Sequence, residues 1–168
     1  WNVVFLIILR YFILKLVKSA DLWFMKTYIF EIRLFHKKSI LRKIEIFGSA
    51  SLYKFAGVIV GAYNFDFDHA FGFFSEISGN RYFDSERKYE LFADMKDEGI
   101  EPTGAESVEK TKISDVWKNV GDKMLFLFDY GDNWLFTVEL IGFWEKNNKI
   151  KYPKIVKKVG RAPKQYNL

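Results

Sequence analysis

Met124 to Phe128 (MLFLF), Asp129 to Asn133 (DYGDN) and Trp134 to Ile141 (WLFTVELI) together form the stretch on which the fold turns. The first segment is apolar at every position, as in a strand covered on both faces. Asp, Gly and Asn in the second supply turn chemistry, and the third runs back, so the stretch predicts a buried β-hairpin.

The same reading extends towards the N-terminus. Thr27 to Phe35 (TYIFEIRLF) and Leu41 to Phe47 (LRKIEIF) alternate apolar with polar residues around His36-Lys37-Lys38-Ser39, which predicts a second hairpin. Gly48-Ser49-Ala50-Ser51 offers a turn and a serine N-cap. Beyond it Leu52, Phe55, Ala56, Ile59, Val60 and Tyr63 recur at helical spacing, so a helix of about 13 residues is expected. His69 to Ser75 (HAFGFFS) returns as a third strand, giving a ββαβ opening unit. Asn80 to Lys110 is acidic and weakly periodic, and reads as a surface excursion with short elements. Lys112 to Val120 predicts a short helix, and Lys151 to Lys164 alternates Tyr152, Ile155 and Val156 with lysines. The expected class is α+β: a mostly antiparallel sheet with the ββαβ unit and the later hairpin, one domain over residues 25–168.

Residues 1–24 (WNVVFLIILRYFILKLVKSADLWF) stand apart. Arg10, Lys15 and Lys18 interrupt the apolar run, so no transmembrane segment is expected. On a helical wheel these residues and Asp21 fall within an arc of roughly 140°, which predicts an amphipathic helix with a wide apolar face. It would dock on its own domain, on a second copy or on a membrane interface. A homo-oligomer sharing these helices is the preferred reading, because so large an apolar face is an aggregation liability when bare. A cleaved signal peptide fits poorly, since the apolar part precedes the charges. The chain opens on Trp1 while Met25-Lys26-Thr27 resembles a natural start, so residues 1–24 read as an extension upstream of it.

Composition bounds the rest. A chain of 168 residues suits one domain, and 49% hydrophobic residues with 18 Phe supply a core that disordered chains lack. With no Cys there is no disulfide framework, no thiolate nucleophile and no cysteine zinc site, and a cytoplasmic protein is expected. The net charge of +5 is segregated: residues 1–54 carry ten Lys/Arg against three Asp/Glu, residues 55–110 five against twelve, and residues 111–168 eleven against six. Basic segments can therefore face an acidic middle within the fold, which makes nucleic acid the less favoured partner. Trp144, Tyr152 and Tyr166 among the C-terminal lysines are the residues that would stack on single strands.

Several stretches resemble the plasmid pRiA4b ORF-3-like family: Ile40-Leu41-Arg42-Lys43-Ile44, His69-Ala70-Phe71-Gly72-Phe73, Asp129-Tyr130-Gly131-Asp132-Asn133-Trp134, and Pro153 followed by Gly160-Arg161-Ala162-Pro163. The resemblance covers about residues 26 to 166. It implies a fold found in prokaryotic genomes, on plasmids and among insertion-sequence passengers, and it brings no activity with it. Many relatives carry Trp where Leu41 stands, His where Phe136 stands, and an acid where Lys164 and Gln165 stand. The absence of those groups argues against metal chemistry here.

One polar constellation deserves a chemical reading: Asp66, Asp68 and His69 before the third strand, with Asp129, Asp132 and Trp134 at the later hairpin. Were the two segments adjacent, His69, Asp129 and Asp132 would suit Mg²⁺ or Mn²⁺ in a hydrolase or nuclease. The alternative is that Asp129 and Asp132 serve the turn through backbone hydrogen bonds. The expected function is thus a binding or interaction module with no assigned catalytic residue, metal or cofactor, with the metal-dependent enzyme and the nucleic-acid binder as alternatives.

Overall fold

A computed structural model describes residues 26–95 and 103–166. Among the described residues eight strands form one sheet: β1 (Lys26–Leu34), β2 (Leu41–Phe47), β3 (Phe71–Phe74), β4 (Lys88–Glu90), β5 (Glu106–Ser107), β6 (Lys123–Phe128), β7 (Trp134–Glu145) and β8 (Lys154–Val159). The helices are α1 (Leu52–Ala62) and the single turn α2 (Ile113–Val116). Across the sheet the order is β5-β4-β3-β6-β7-β1-β2-β8.

The expected α+β class is corrected by this architecture. One eight-stranded sheet dominates, α1 is the single helix longer than a turn among the described residues, and the sheet is mixed because β5 runs parallel to β4. The physical reason is that the weakly periodic acidic excursion adds two short strands to one edge, β4 beside β3 and β5 beside β4, while the C-terminal lysine segment crosses to the other edge and pairs with the distant β2. The amphipathic helix expected over residues 1–24 lies outside the described residues.

Alternation sets the faces. Tyr28, Phe30 and Ile32 of β1 pair with Ile46, Ile44 and Arg42 of β2, and all point to the side that α1 covers. Leu52, Phe55, Ala56, Ile59, Val60 and Ala62 of α1 are buried there. Each large apolar side chain so removed from water contributes about 1.5 to 3 kcal/mol. Ser51 caps α1 by accepting from the Lys54 N–H at 3.2 Å. The next free amides, of Leu52 and Tyr53, donate to the carbonyls of Thr111 and Val108. The segment before α2 therefore closes the helix start.

On the opposite face Phe74, Leu125, Leu127 and Leu135 form a smaller cluster, packed by Phe35, Tyr82 and Tyr130. That explains why β6 is apolar from Met124 to Phe128: this part of the strand is covered on both sides. No described helix is long and apolar enough to cross a membrane.

Candidate functional site

Two separated stretches meet at one end of β3, β6 and β7. The Asp129 amide donates to the Ala70 carbonyl at 3.0 Å, which sets the turn after β6 against the entry to β3. Asp129 adopts φ 60, in the left-handed region that Asp tolerates better than most residues. Its Oδ1 accepts from the amides of Gly131 at 2.9 Å and Asp132 at 3.2 Å. This carboxylate organises the hairpin turn, and its side chain is 9% exposed.

The free edge of that carboxylate faces an imidazole. Asp129 Oδ2 lies 3.7 Å from His69 Nε2, and Asp68 Oδ1 lies 2.8 Å from His69 Nδ1. Since a carboxylate only accepts, Nδ1 carries the proton in that bond. Asp68 is held further from the far end of the chain: Tyr166 donates its hydroxyl to Oδ2 at 2.6 Å, and Gln165 Nε2 donates to Oδ1 at 3.1 Å. Gln165 also grips the backbone of Asp66, accepting from its amide at 2.6 Å and donating to its carbonyl at 3.2 Å.

These contacts shift the titration of the cluster. The Tyr166 hydroxyl, then His69, hold Asp68 below the usual carboxylate range. The bond to Asp68 raises His69 above an ordinary imidazole, with the charges of Asp129, Asp68 and Asp132 adding to it. Tyr166 is pushed up to about 12, because its hydrogen bond to the Asp68 carboxylate favours the protonated hydroxyl.

Beside this rim lies a hollow of about 310 Å³ lined by Tyr53, Phe67, Asp68, His69, Ala70, Phe71, Leu91, Phe92 and Met95. Its rings stand at mixed angles: the centroids of Tyr53 and Phe67 are 5.5 Å apart at 69°, and those of Phe67 and Phe71 are 5.2 Å apart at 36°.

The six residues singled out from sequence thus separate. Asp68, His69 and Asp129 meet, and Asp66 joins through its backbone. Asp132 is exposed and reaches His69 only as a nearby charge. Trp134 turns to the core against Phe65, with centroids 4.8 Å apart. Among the described residues no three His, Asp or Glu side chains converge to hold a metal ion. Sequence reasoning missed Gln165 as a member of the cluster and weighed Tyr166 only as a stacking ring. Their pairing spans nearly one hundred positions, and no local signal announces it.

Among solved structures, the chain resembles the crystal structure of MM3350, a protein of unknown function from Methanosarcina mazei Go1. The TM-score is 0.64 at 20% identity, over 80% of this chain and 70% of that one, a likeness that shows the fold alone. No curated protein matches. The sequence model of the plasmid pRiA4b ORF-3-like protein matches residues 26–165, from the first residue of β1 to the glutamine that clamps Asp66 and Asp68. The chain therefore belongs to the plasmid pRiA4b ORF-3-like family.

Proposed function

We propose that the chain is a binding module without chemistry of its own, and that its site holds a cationic group in the aromatic hollow beside Asp68 and His69. The observation that carries this reading is the pairing of exposed rings with an acidic rim. Tyr53 and Phe67 are exposed at the mouth of the hollow, and Asp66, Asp68, Asp129 and Asp132 outnumber the one imidazole among them. Ring faces attract ammonium and guanidinium groups, and neighbouring carboxylates add to the attraction.

The polar groups favour binding over catalysis. Asp68 already accepts three hydrogen bonds, from Tyr166, Gln165 and His69, and one oxygen of Asp129 is committed to the turn. A general base or metal ligand needs an oxygen or nitrogen free to meet the reacting group.

The test is a titration followed by NMR, using tetramethylammonium and arginine methyl ester as probes and Mn²⁺ in a separate arm. Saturable shifts at His69 and the hollow's rings are expected with the organic cations. Phe67→Ala should weaken them about 5- to 30-fold, as the loss of one cation–π contact implies. Absence of saturable binding, or binding indifferent to Phe67→Ala, overturns the reading. Localised Mn²⁺ broadening at His69 and Asp129 would favour the metal-dependent enzyme instead.

A further inference from the structure

At the other edge of the sheet, β8 presents a second surface. It pairs with β2 on one side, and no described strand lies on the other. Every β8 side chain except Val159 is exposed, Ile155 and Val156 each to 37%, so the strand adds little to the core. It is nonetheless held firmly. The buried Arg42 donates to the carbonyls of Val159 at 2.9 Å and Gly160 at 3.2 Å, and also to the carbonyl of Ala62 at the end of α1.

The segment that forms this edge carries charge of one sign. From Lys146 to Tyr166 the chain carries eight Lys/Arg and no Asp/Glu. Register puts Lys154 and Lys157 on the face away from α1, opposite Glu45 and Lys43, while Ile155 and Lys158 stand on the α1 side, opposite Ile44 and Arg42. A second β8 laid alongside would set lysine against lysine, so the edge is guarded against self-pairing. The same lysines admit a strand of opposite charge, whose backbone would find the edge that no described strand pairs and whose apolar residues would meet Ile155 and Val156.

We infer that the β8 edge is a docking site for an acidic extended peptide, which joins the sheet as a ninth strand. Single-stranded nucleic acid is the rival occupant, and the rings argue against it. Trp144 is 53% exposed, but Tyr152 is packed against Phe47 at 4.9 Å and its hydroxyl accepts from the Asn147 amide at 3.1 Å. A stacking track needs successive free rings, and here Trp144 stands without a second one beside it.

The test uses the full chain and a fluorescein-labelled peptide of eight residues, alternating Glu and Val, followed by fluorescence anisotropy. Controls are the fully N-methylated peptide, which keeps the charge but cannot donate strand hydrogen bonds, and an oligothymidylate. Saturable binding that weakens as salt is raised is expected. N-methylation should weaken it at least about ten-fold, as should the triple variant K154E/K157E/K158E, and the β8 amides should gain protection from hydrogen exchange in the complex. Equal binding of the N-methylated peptide would mean plain charge attraction and overturns strand addition. So does binding of the oligonucleotide without the peptide, binding that survives charge reversal, or no binding. The N-methylated arm needs no variant, so a misfolded triple mutant leaves the test intact.

Discussion

The hydroxyl of Tyr166 donates to Asp68 at 2.6 Å across 98 positions of sequence, tying the end of the chain to the residue before His69. This bond and the His69 contact give the cluster a defined pH window. Asp68 is depressed in the folded chain, so its contribution is present above its unfolded value near pH 4 and is lost as pH falls through the lower folded value. His69 is raised, so its contribution is full below about pH 6.5 and is lost as pH rises through the higher folded value. Asp68→Asn removes both, and the stability difference from wild type should therefore peak between about pH 4 and 6.5 and shrink on either side. Denaturation midpoints from pH 3 to 9 check this, and a difference independent of pH contradicts it. In the same variant the NMR titration of His69 should move down towards an ordinary imidazole.

Arg42 carries a second prediction. It stacks over Tyr63 with its guanidinium carbon 4.6 Å from the ring centroid, and its donors reach carbonyls on β2, α1 and β8. Arg42→Ala orphans those carbonyls in a buried place and should cost on the order of 3 kcal/mol. Arg42→Lys keeps the charge without the planar fork and should recover only part of the loss. The readout is a lower urea midpoint at unchanged slope, with exchange at the amides of β8 quickening first. A midpoint unchanged in Arg42→Ala would show that the carbonyls find other donors.

Glu90 is 2% exposed and accepts the Tyr130 hydroxyl at 2.5 Å, and burial followed by this bond raises Tyr130 above the ordinary phenol range. Tyr130→Phe leaves that buried carboxylate short of its donor and should destabilise the chain by about 1 to 3 kcal/mol. Glu90→Gln keeps an acceptor for the hydroxyl and should cost less. Thermal denaturation of the two variants reports the ordering, and a larger loss in Glu90→Gln would contradict this account of the pair.

Local pattern made part of the molecule legible. Alternation in Thr27–Phe35 and Leu41–Phe47 located β1 and β2, helical spacing from Leu52 to Tyr63 located α1, and the continuous apolar run at Met124–Phe128 marked β6 as covered on both faces. The missed features depend on distant partners. Lys88–Glu90 and Glu106–Ser107 are too short to show a period, yet they extend the sheet and make it mixed. Lys154–Val159 alternates, but no pattern in it says that its neighbour is β2 and not the preceding β7. Gln165 reads in sequence as one more polar residue near a terminus, and it is the fold that turns it onto Asp66 and Asp68.

The turn after β6 separates geometry from charge. Asp129 occupies a left-handed backbone position and accepts two turn amides, while its other oxygen faces His69. Asp129→Asn keeps a carbonyl acceptor for Gly131 and Asp132 and tolerates φ above zero, so the hairpin should persist with a loss under about 1 kcal/mol. Asp129→Ala loses the acceptor and strains the backbone, and should cost about 2 kcal/mol or more. Both substitutions remove the negative charge from His69, so each should lower its titration by a similar amount, although their stabilities differ. Urea unfolding and NMR titration run on the same samples separate the two roles. If stability and His69 titration instead fell together in both variants, the carboxylate would act on the turn through its charge, and the hydrogen-bond geometry would be secondary.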